Sequence, residues 1–357
     1  MQEESEKRES VHAKVIRSGF ESDVIVGTAL IKQKNVVSWN ALISSYSKQL
    51  LFHINFIVTI NAPIGSGYES NEYVLSSLVM AYTRNGLINE ALSVVEEFND
   101  PFPVVPSNII VGIYNRTCQY HETAKLLSWL EKPDAVSWNI VISAGTRSNN
   151  YDEVFALFKH MHSACIHPDS YSFISVISVC TKLCLLDWGS SLHGLIIKTN
   201  LGNYDTFLGN VLIDMYGKCG SIDSSVKVFE EITNKNIITW TALITALGLN
   251  GYAYEAVMRF QNIELMGLKP DALALRTVLC SCRYGGLVSE GMEIFRKMGT
   301  RYGIPPEHDH YHCIVDLLAK NGQIKEAEKI TASMPFLPNA NIWRRFLEGY
   351  SRQEIAN

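Results

Sequence analysis

A chain of 357 residues with 31 Lys plus Arg, 36 Asp plus Glu and a formal charge of −5 is 47% hydrophobic and 19% charged, which excludes a disordered polymer and fits a folded one. No run of about 18 apolar residues escapes a charged or polar break, which excludes a transmembrane helix, and the Glu-rich Met1–Ser10 reads as neither a signal peptide nor an Arg/Ser-rich presequence. The mild acidity, taken alone, counts against a nucleic-acid binder. Eight scattered cysteines (118, 165, 180, 184, 219, 280, 282, 313) form no tight framework and read as reduced core residues.

At roughly 150 residues per domain the length predicts two or three domains, but internal repetition replaces that estimate. The phrase Val36-Val-Ser-Trp-Asn40-Ala-Leu-Ile43 returns as Ala135-Val-Ser-Trp-Asn139-Ile-Val-Ile142 and Ile237-Ile-Thr-Trp-Thr241-Ala-Leu-Ile244, with a degenerate copy at Ala340-Asn-Ile-Trp-Arg344. Two other kinds of unit lie between, typified by Tyr171-Ser-Phe-Ile174 and Phe207-Leu-Gly-Asn210. Anchored on the fifth residue of each unit (40, 76, 108, 139, 174, 210, 241, 276, 312, 344), the chain divides into 135–169, 170–205 and 206–236, of 35, 36 and 31 residues. The same cycle then runs through 237–271, 272–307 and 308–339.

The first hundred residues depart from this pattern. Thr28 and Asn40, both fifth residues, are 12 apart instead of about 31, so part of a unit is missing. The stretch Phe52-His-Ile-Asn-Phe-Ile-Val-Thr-Ile60 is β-branched and precedes Pro63 and Gly65-Ser-Gly67, a poor helix. We therefore expect degenerate, partly deleted units over 1–103, a regular array over 104–339 and a short extension over 340–357.

Within the array the periodicity is helical. In 206–236, Val211, Leu212, Met215 and Tyr216 form one stripe, and Ile222, Val226, Val228 and Phe229 a second. Gly220 between them suits a left-handed helix terminus; Asn85-Gly86, Asn250-Gly251 and Asn321-Gly322 repeat the break. Ala91, Ser225, Ala256 and Ala327, five residues after each glycine, predict close helix crossings. Pro-Asp at 133–134, 168–169 and 270–271 is expected to stop each second helix. Each unit is thus a helical hairpin too small to bury its apolar face alone, and stacking predicts an all-α solenoid.

These lengths, the Trp phrase and the Met334-Pro335 ending before Asn341-Ile-Trp343 resemble the plant pentatricopeptide repeat proteins of the P-L-S subclass, with the beginning of an E extension, over residues 12 to about 350. The resemblance implies a right-handed superhelical α-solenoid of helix-turn-helix repeats, each hairpin reading one base of single-stranded RNA. Carried over, the fifth and last residues of a unit are the readers. Asn108/Asp134 and Asn139/Asp169 resemble uracil readers, Asn40/Asn71 and Asn210/Asn236 pyrimidine readers with a cytosine lean, Thr241/Asp271 a guanine reader and Thr28/Asn35 an adenine reader. Second residues Val37, Val105, Val136, Phe207 and Ile238 would wedge between bases. The implied target is A-Y-n-U-U-n-Y-G-n-n. Location in a mitochondrion or plastid follows from the resemblance alone, as does a role in C-to-U editing with the deaminase, or a deaminase-carrying relative, supplied in trans. Transcript stabilisation or processing without editing, and a tetratricopeptide-like protein scaffold, are the alternatives; the 31/35/36 cycle and Asn at position five oppose the scaffold.

One column needs no resemblance. The thirteenth residues are Lys48, Arg84, Arg116, Arg147, Lys182, Lys218, Leu249, Tyr284 and Lys320. A fixed register position maps to one line along a solenoid, the footprint of a single-strand backbone, although Lys and Arg also favour helix C-termini. Elsewhere, His308-Asp-His310-Tyr-His312-Cys313 follows the hairpin register and lacks a second ligand pair at zinc spacing. Cys280, Cys282, Cys180 and Cys184 read as small packing residues, and Trp39, Trp138, Trp240 and Trp343 as core or edge positions. No phosphate loop, nucleophile elbow or deaminase signature occurs, so neither enzyme activity nor a cofactor is expected.

Overall fold

The computed structural model describes residues 72–84, 88–96, 107–110, 112, 120–130, 132–199 and 205–356, and among them every regular element is an α-helix. The chain forms two compact units, residues 1–172 and 173–357. In the first, α1 (Glu72–Arg84) packs on α2 (Ile88–Glu96), α3 (Tyr120–Trp129) on α4 (Ala135–Arg147), and α4 on α5 (Tyr151–Ser163). Helix α6 (Ser170–Leu183) begins at its end and runs into the second unit.

The second unit continues with α7 (Leu186–Lys198), then the hairpins α8–α9 (Thr206–Lys218, Ile222–Glu231), α10–α11 (Ile237–Leu249, Ala253–Leu265), α12–α13 (Ala272–Gly285, Val288–Thr300) and α14–α15 (His308–Lys320, Ile324–Ala332), and closes with α16 (Ala340–Ala356). Each first helix packs both on its own partner and on the next first helix, so α8, α10, α12, α14 and α16 form one row and the second helices the other. This is the predicted helical-repeat solenoid.

Small residues make that row possible. A Cβ added at Gly217 would stand 2.4 Å from the Ala246 Cβ, and one at Gly248 would stand 2.1 Å from the Ser281 Oγ, so α8, α10 and α12 touch nearly backbone to backbone. Asn250 fastens the same junction, its Nδ2 donating to the Gly217 and Ala246 carbonyls at 2.7 Å each. Ala91, Ala256, Ala327 and Ser225 are all fully buried as the register required, and the Ser225 hydroxyl donates to the Ile213 carbonyl across the hairpin. Leu212, Ile213, Ile244, Leu279 and Phe260 fill the space between rows, each worth about 1.5–3 kcal/mol of burial. Val211 and Val226, placed in the stripes by periodicity, sit at their half-buried edges instead.

The turns behave as read, with one correction. Gly220, Gly251 and Gly322 take positive φ values of 83°, 88° and 73°, which only glycine adopts without strain. Pro-Asp, however, does not stop the second helices. α5 ends at Ser163 and α11 at Leu265, where Cys165 and Gly267 turn left-handed at φ 58° and 72°. The aspartate instead opens the next unit as the N-cap of its first helix.

Candidate nucleic-acid interface

The last residue of one unit is the N-cap of the next. Asp134 accepts from the Ser137 N–H at 2.8 Å, Asp169 from Ser172 at 2.9 Å, Asn236 from Thr239 at 3.0 Å and Asp271 from Ala274 at 2.7 Å. Asp205, Glu307 and Asn339 hold the same place before α8, α14 and α16. Capping satisfies an orphan N–H of the helix and fixes where the side chain stands. Burial pushes the Asp134 carboxyl up, but hydrogen bonds from the Ser137 N–H, the Ser137 hydroxyl and Asn108 outweigh it and hold the group below the ordinary carboxylate range.

The fifth residue reaches this cap. Asn139 Nδ2 donates to both Asp169 oxygens at 3.0 Å, and its Oδ1 accepts from the Ser172 hydroxyl at 2.5 Å. Asn108 Nδ2 lies 3.4 Å from Asp134 Oδ1, while its own Oδ1 is buried with no partner. In the second unit Asn210 is buried, and its Oδ1 also lacks a partner. The Thr241 hydroxyl donates to the Ile237 carbonyl at 2.8 Å, one turn back in its own helix.

Second residues stand out of the fold. Val136, Phe207 and Ile238 are 53%, 58% and 60% exposed, and Tyr171 and Leu273 at the same position are 70% and 53% exposed. Large apolar side chains held in water at one register position, unit after unit, are not core residues. In the second unit Phe207, Asn210, Ile238, Thr241, Asp271 and Leu273 line one groove of about 470 Å³, joined by Lys182, Lys218 and Asp214. The groove therefore carries exposed apolar second residues, polar fifth residues and cations in repeating order, which suits stacking of flat rings with hydrogen bonding to their edges.

The basic column is exposed at Arg147, Lys182, Lys218 and Lys320. Lys218 pairs with Asp214 at 2.8 Å, and Lys320 lies 2.9 Å from Asp316. Leu249 and Tyr284 interrupt the line and are exposed. The sequence reading missed these position-nine acids and Ser172, and it missed Tyr171 and Leu273, which occupy the second-residue column already defined and were findable by extending it to every unit. Asn40, Asn71, Val37, Val105, Lys48, Arg116, Thr28 and Asn35, together with the side chain of Arg84, lie outside the described residues.

The histidine cluster has a structural explanation. Glu307 N–H donates to His310 Nδ1 at 3.1 Å, which leaves the Nε2 proton for the Ala272 carbonyl at 2.9 Å; His308 stacks on Phe336. Burial, with the Arg283 cation, holds His312 below its usual value. Trp138 and Trp240 are buried as expected, whereas Trp343 is half exposed.

Comparison with known proteins agrees with the register. Models described as PPR repeat and PPR repeat family match residues 37–53, 73–99, 133–182, 210–237, 238–268 and 309–335, about half of the chain. A pentatricopeptide repeat-containing protein of Arabidopsis thaliana is 45% identical over 96% of this chain and 52% of its own length. Another from the same plant, named mitochondrial, is 31% identical over 88% of this chain and 49% of its own length. The chain thus spans about half the length of these relatives. Among solved structures, the maize pentatricopeptide repeat protein PPR10 superposes with a TM-score of 0.58 at 19% identity, over 90% of this chain and 50% of that one, a likeness of fold. Hairpin register, groove columns and matched repeats converge: the chain belongs to the pentatricopeptide repeat family.

Proposed function

We propose that the chain binds single-stranded RNA sequence-specifically in an organelle and marks a C-to-U editing site, with the deaminase supplied in trans by another polypeptide. The carrying observation is the groove column itself. An exposed apolar residue two, a polar residue five and a capping last residue recur along one face, and a chain of bases spaced one per hairpin would meet each in turn. The P-L-S reading of the 35, 36 and 31 residue cycle, and the E-like character of 340–357, support editing over plain transcript stabilisation. Relatives named mitochondrial and chloroplastic support an organellar setting.

Sequencing RNA selected from a random pool by the purified chain tests this. Enrichment of A-Y-n-U-U-n-Y-G-n-n, strongest across the U-U-n-Y-G segment read by 108 to 241, is the expected result; an unrelated motif or none would sink the assignment. Asn139→Ser is then expected to change the preferred base at one position only, and an unchanged motif would remove residue five from the readers.

A further inference from the structure

Two thiols meet between consecutive first helices of the second unit. Cys280 on α12 and Cys313 on α14 place their Sγ atoms 3.0 Å apart. Position nine, which Cys280 occupies, is a groove column, filled elsewhere by Ser178, Asp214, Thr245, Asp316 and Glu348, and the first three line the groove described above. Cys280 is accordingly half-buried on the groove side, whereas Cys313 is buried beneath it. Closing from 3.0 Å to the roughly 2.0 Å of a disulfide requires a shift of about one ångström.

The chemistry of the pair is asymmetric. The hydrogen bond with Cys313 holds the Cys280 thiol down to about 7 against burial, and Arg283 and Arg276 add to the effect. The same hydrogen bond, together with burial, pushes Cys313 up. Burial likewise pushes Cys282, two residues away, up to about 12. A half-buried thiol with lowered pKa on the groove side, beside a buried thiol with raised pKa, is the arrangement of an attacking and a resolving thiol.

We propose that Cys280 and Cys313 form a reversible thiol–disulfide modification site oxidised by hydrogen peroxide. The Cys280 thiolate attacks a peroxide oxygen; the O–O bond breaks, leaving a Cys280 sulfenic acid and a hydroxide that takes a proton to become water. The Cys313 sulfur then attacks the Cys280 sulfur, the S–S bond forms, and the departing hydroxide leaves as a second water with the Cys313 proton. Both sulfurs are oxidised and both peroxide oxygens reduced; a dithiol reverses the bond by exchange. The link would tie α12 to α14 and fix the spacing of their groove faces.

Peptide mapping of the purified full chain after limiting hydrogen peroxide tests the proposal. The expected result is loss of two hydrogens in the intact mass, a 280–313 linked peptide pair, Cys282 still alkylatable, and reversal by dithiothreitol. Cys313→Ser is expected to strand Cys280 as a sulfenic acid trapped by dimedone, and Cys280→Ser to remove the linked pair. A linked pair mapping elsewhere, or Cys280 remaining alkylatable while the exposed Cys165 and Cys184 are oxidised, overturns the proposal in the unmutated chain, whatever the folding of either variant.

Discussion

The Asn139 cluster of the first unit and the Asn210 site of the second share a register but not a state. Around Asn139 the acceptor-only carboxylate of Asp169 forces the amide N–H to one side, and Ser172 occupies the carbonyl oxygen. Around Asn210 the last residue is Asn236, whose Oδ1 already accepts from the Thr239 N–H and hydroxyl as the cap of α10, and the Asn210 Oδ1 has no partner. Asp169 and Ser172 together therefore fix the orientation of Asn139, whereas no hydrogen bond holds the carbonyl oxygen of Asn210. On the proposed reading, the first site would present one hydrogen-bonding pattern to a base and the second a less fixed one. This is a physical reason for the stricter preference assigned to 139 and the looser one assigned to 210.

Removing the proposed readers breaks the comparison most strongly. Asn139→Ala deletes a prearranged amide and leaves Asp169 without its partner, so affinity for the selected RNA is expected to fall about ten-fold, the worth of roughly 1–2 kcal/mol of hydrogen bonding. Asn210→Ala removes an unfixed amide and is expected to cost less, about three-fold. Fluorescence anisotropy titrations at fixed salt measure both; equal losses would dissolve the distinction between the sites.

Exchanging the last residues sharpens it. Asn236→Asp is expected to raise uracil-versus-cytosine discrimination at the 210 position by about 1 kcal/mol, roughly five-fold, and Asp169→Asn to lower it at 139 by a similar amount. Both substitutions retain an N-cap side chain, so helix stability changes by only a few tenths of a kcal/mol. Alanine at either position would confound reading with a lost cap worth about 1 kcal/mol, which makes the Asp/Asn exchange the cleaner measurement.

The cations differ between the units as well. Lys218 is already paired with Asp214 at 2.8 Å, whereas Arg147 ends its helix in the exposed column. If both meet phosphates, Arg147→Gln is expected to lessen the log-log salt slope by about 0.7, and Lys218→Gln by less, because its counterion is partly supplied by the protein. A basic column that only caps helix ends would leave both slopes unchanged.

How far these features were legible depended on whether they repeat. Hairpin boundaries near Gly220, Gly251 and Gly322, the crossings at Ala256 and Ala327, and the exposed wedges at Phe207 and Ile238 follow from register, because a solenoid maps sequence position onto a line in space. The role of Pro-Asp was misjudged, since a proline before an aspartate is compatible with both a helix end and a helix start. The aspartate's capping bond to the residue three ahead decides it. Pairings across units were not legible at all. Asn139 with Ser172, and Cys280 with Cys313, depend on rotamers and on how deeply successive helices interlock, and no single-sequence period carries that.

The smallest expected effect separates the caps by pH. Asp134 is an ionisable cap whose folded pKa lies below its ordinary value of 3.8, whereas Asn236 occupies the equivalent place and does not titrate. A depressed carboxylate pKa gives stability that is fully present above the unfolded value and is lost as pH falls through the folded one. The Ser137 amide, bonded to Asp134 Oδ1 at 2.8 Å, should therefore lose protection against hydrogen exchange, relative to the intrinsic rate, as pH falls below the ordinary carboxylate value of 3.8. The Thr239 amide, bonded to Asn236 Oδ1 at 3.0 Å, should hold its protection through the same fall in pH. Asp134→Asn should abolish the difference, since the substitution keeps the accepting oxygen and removes the proton. Protection lost at both amides together would mean that acid opens the hairpins themselves and not one cap.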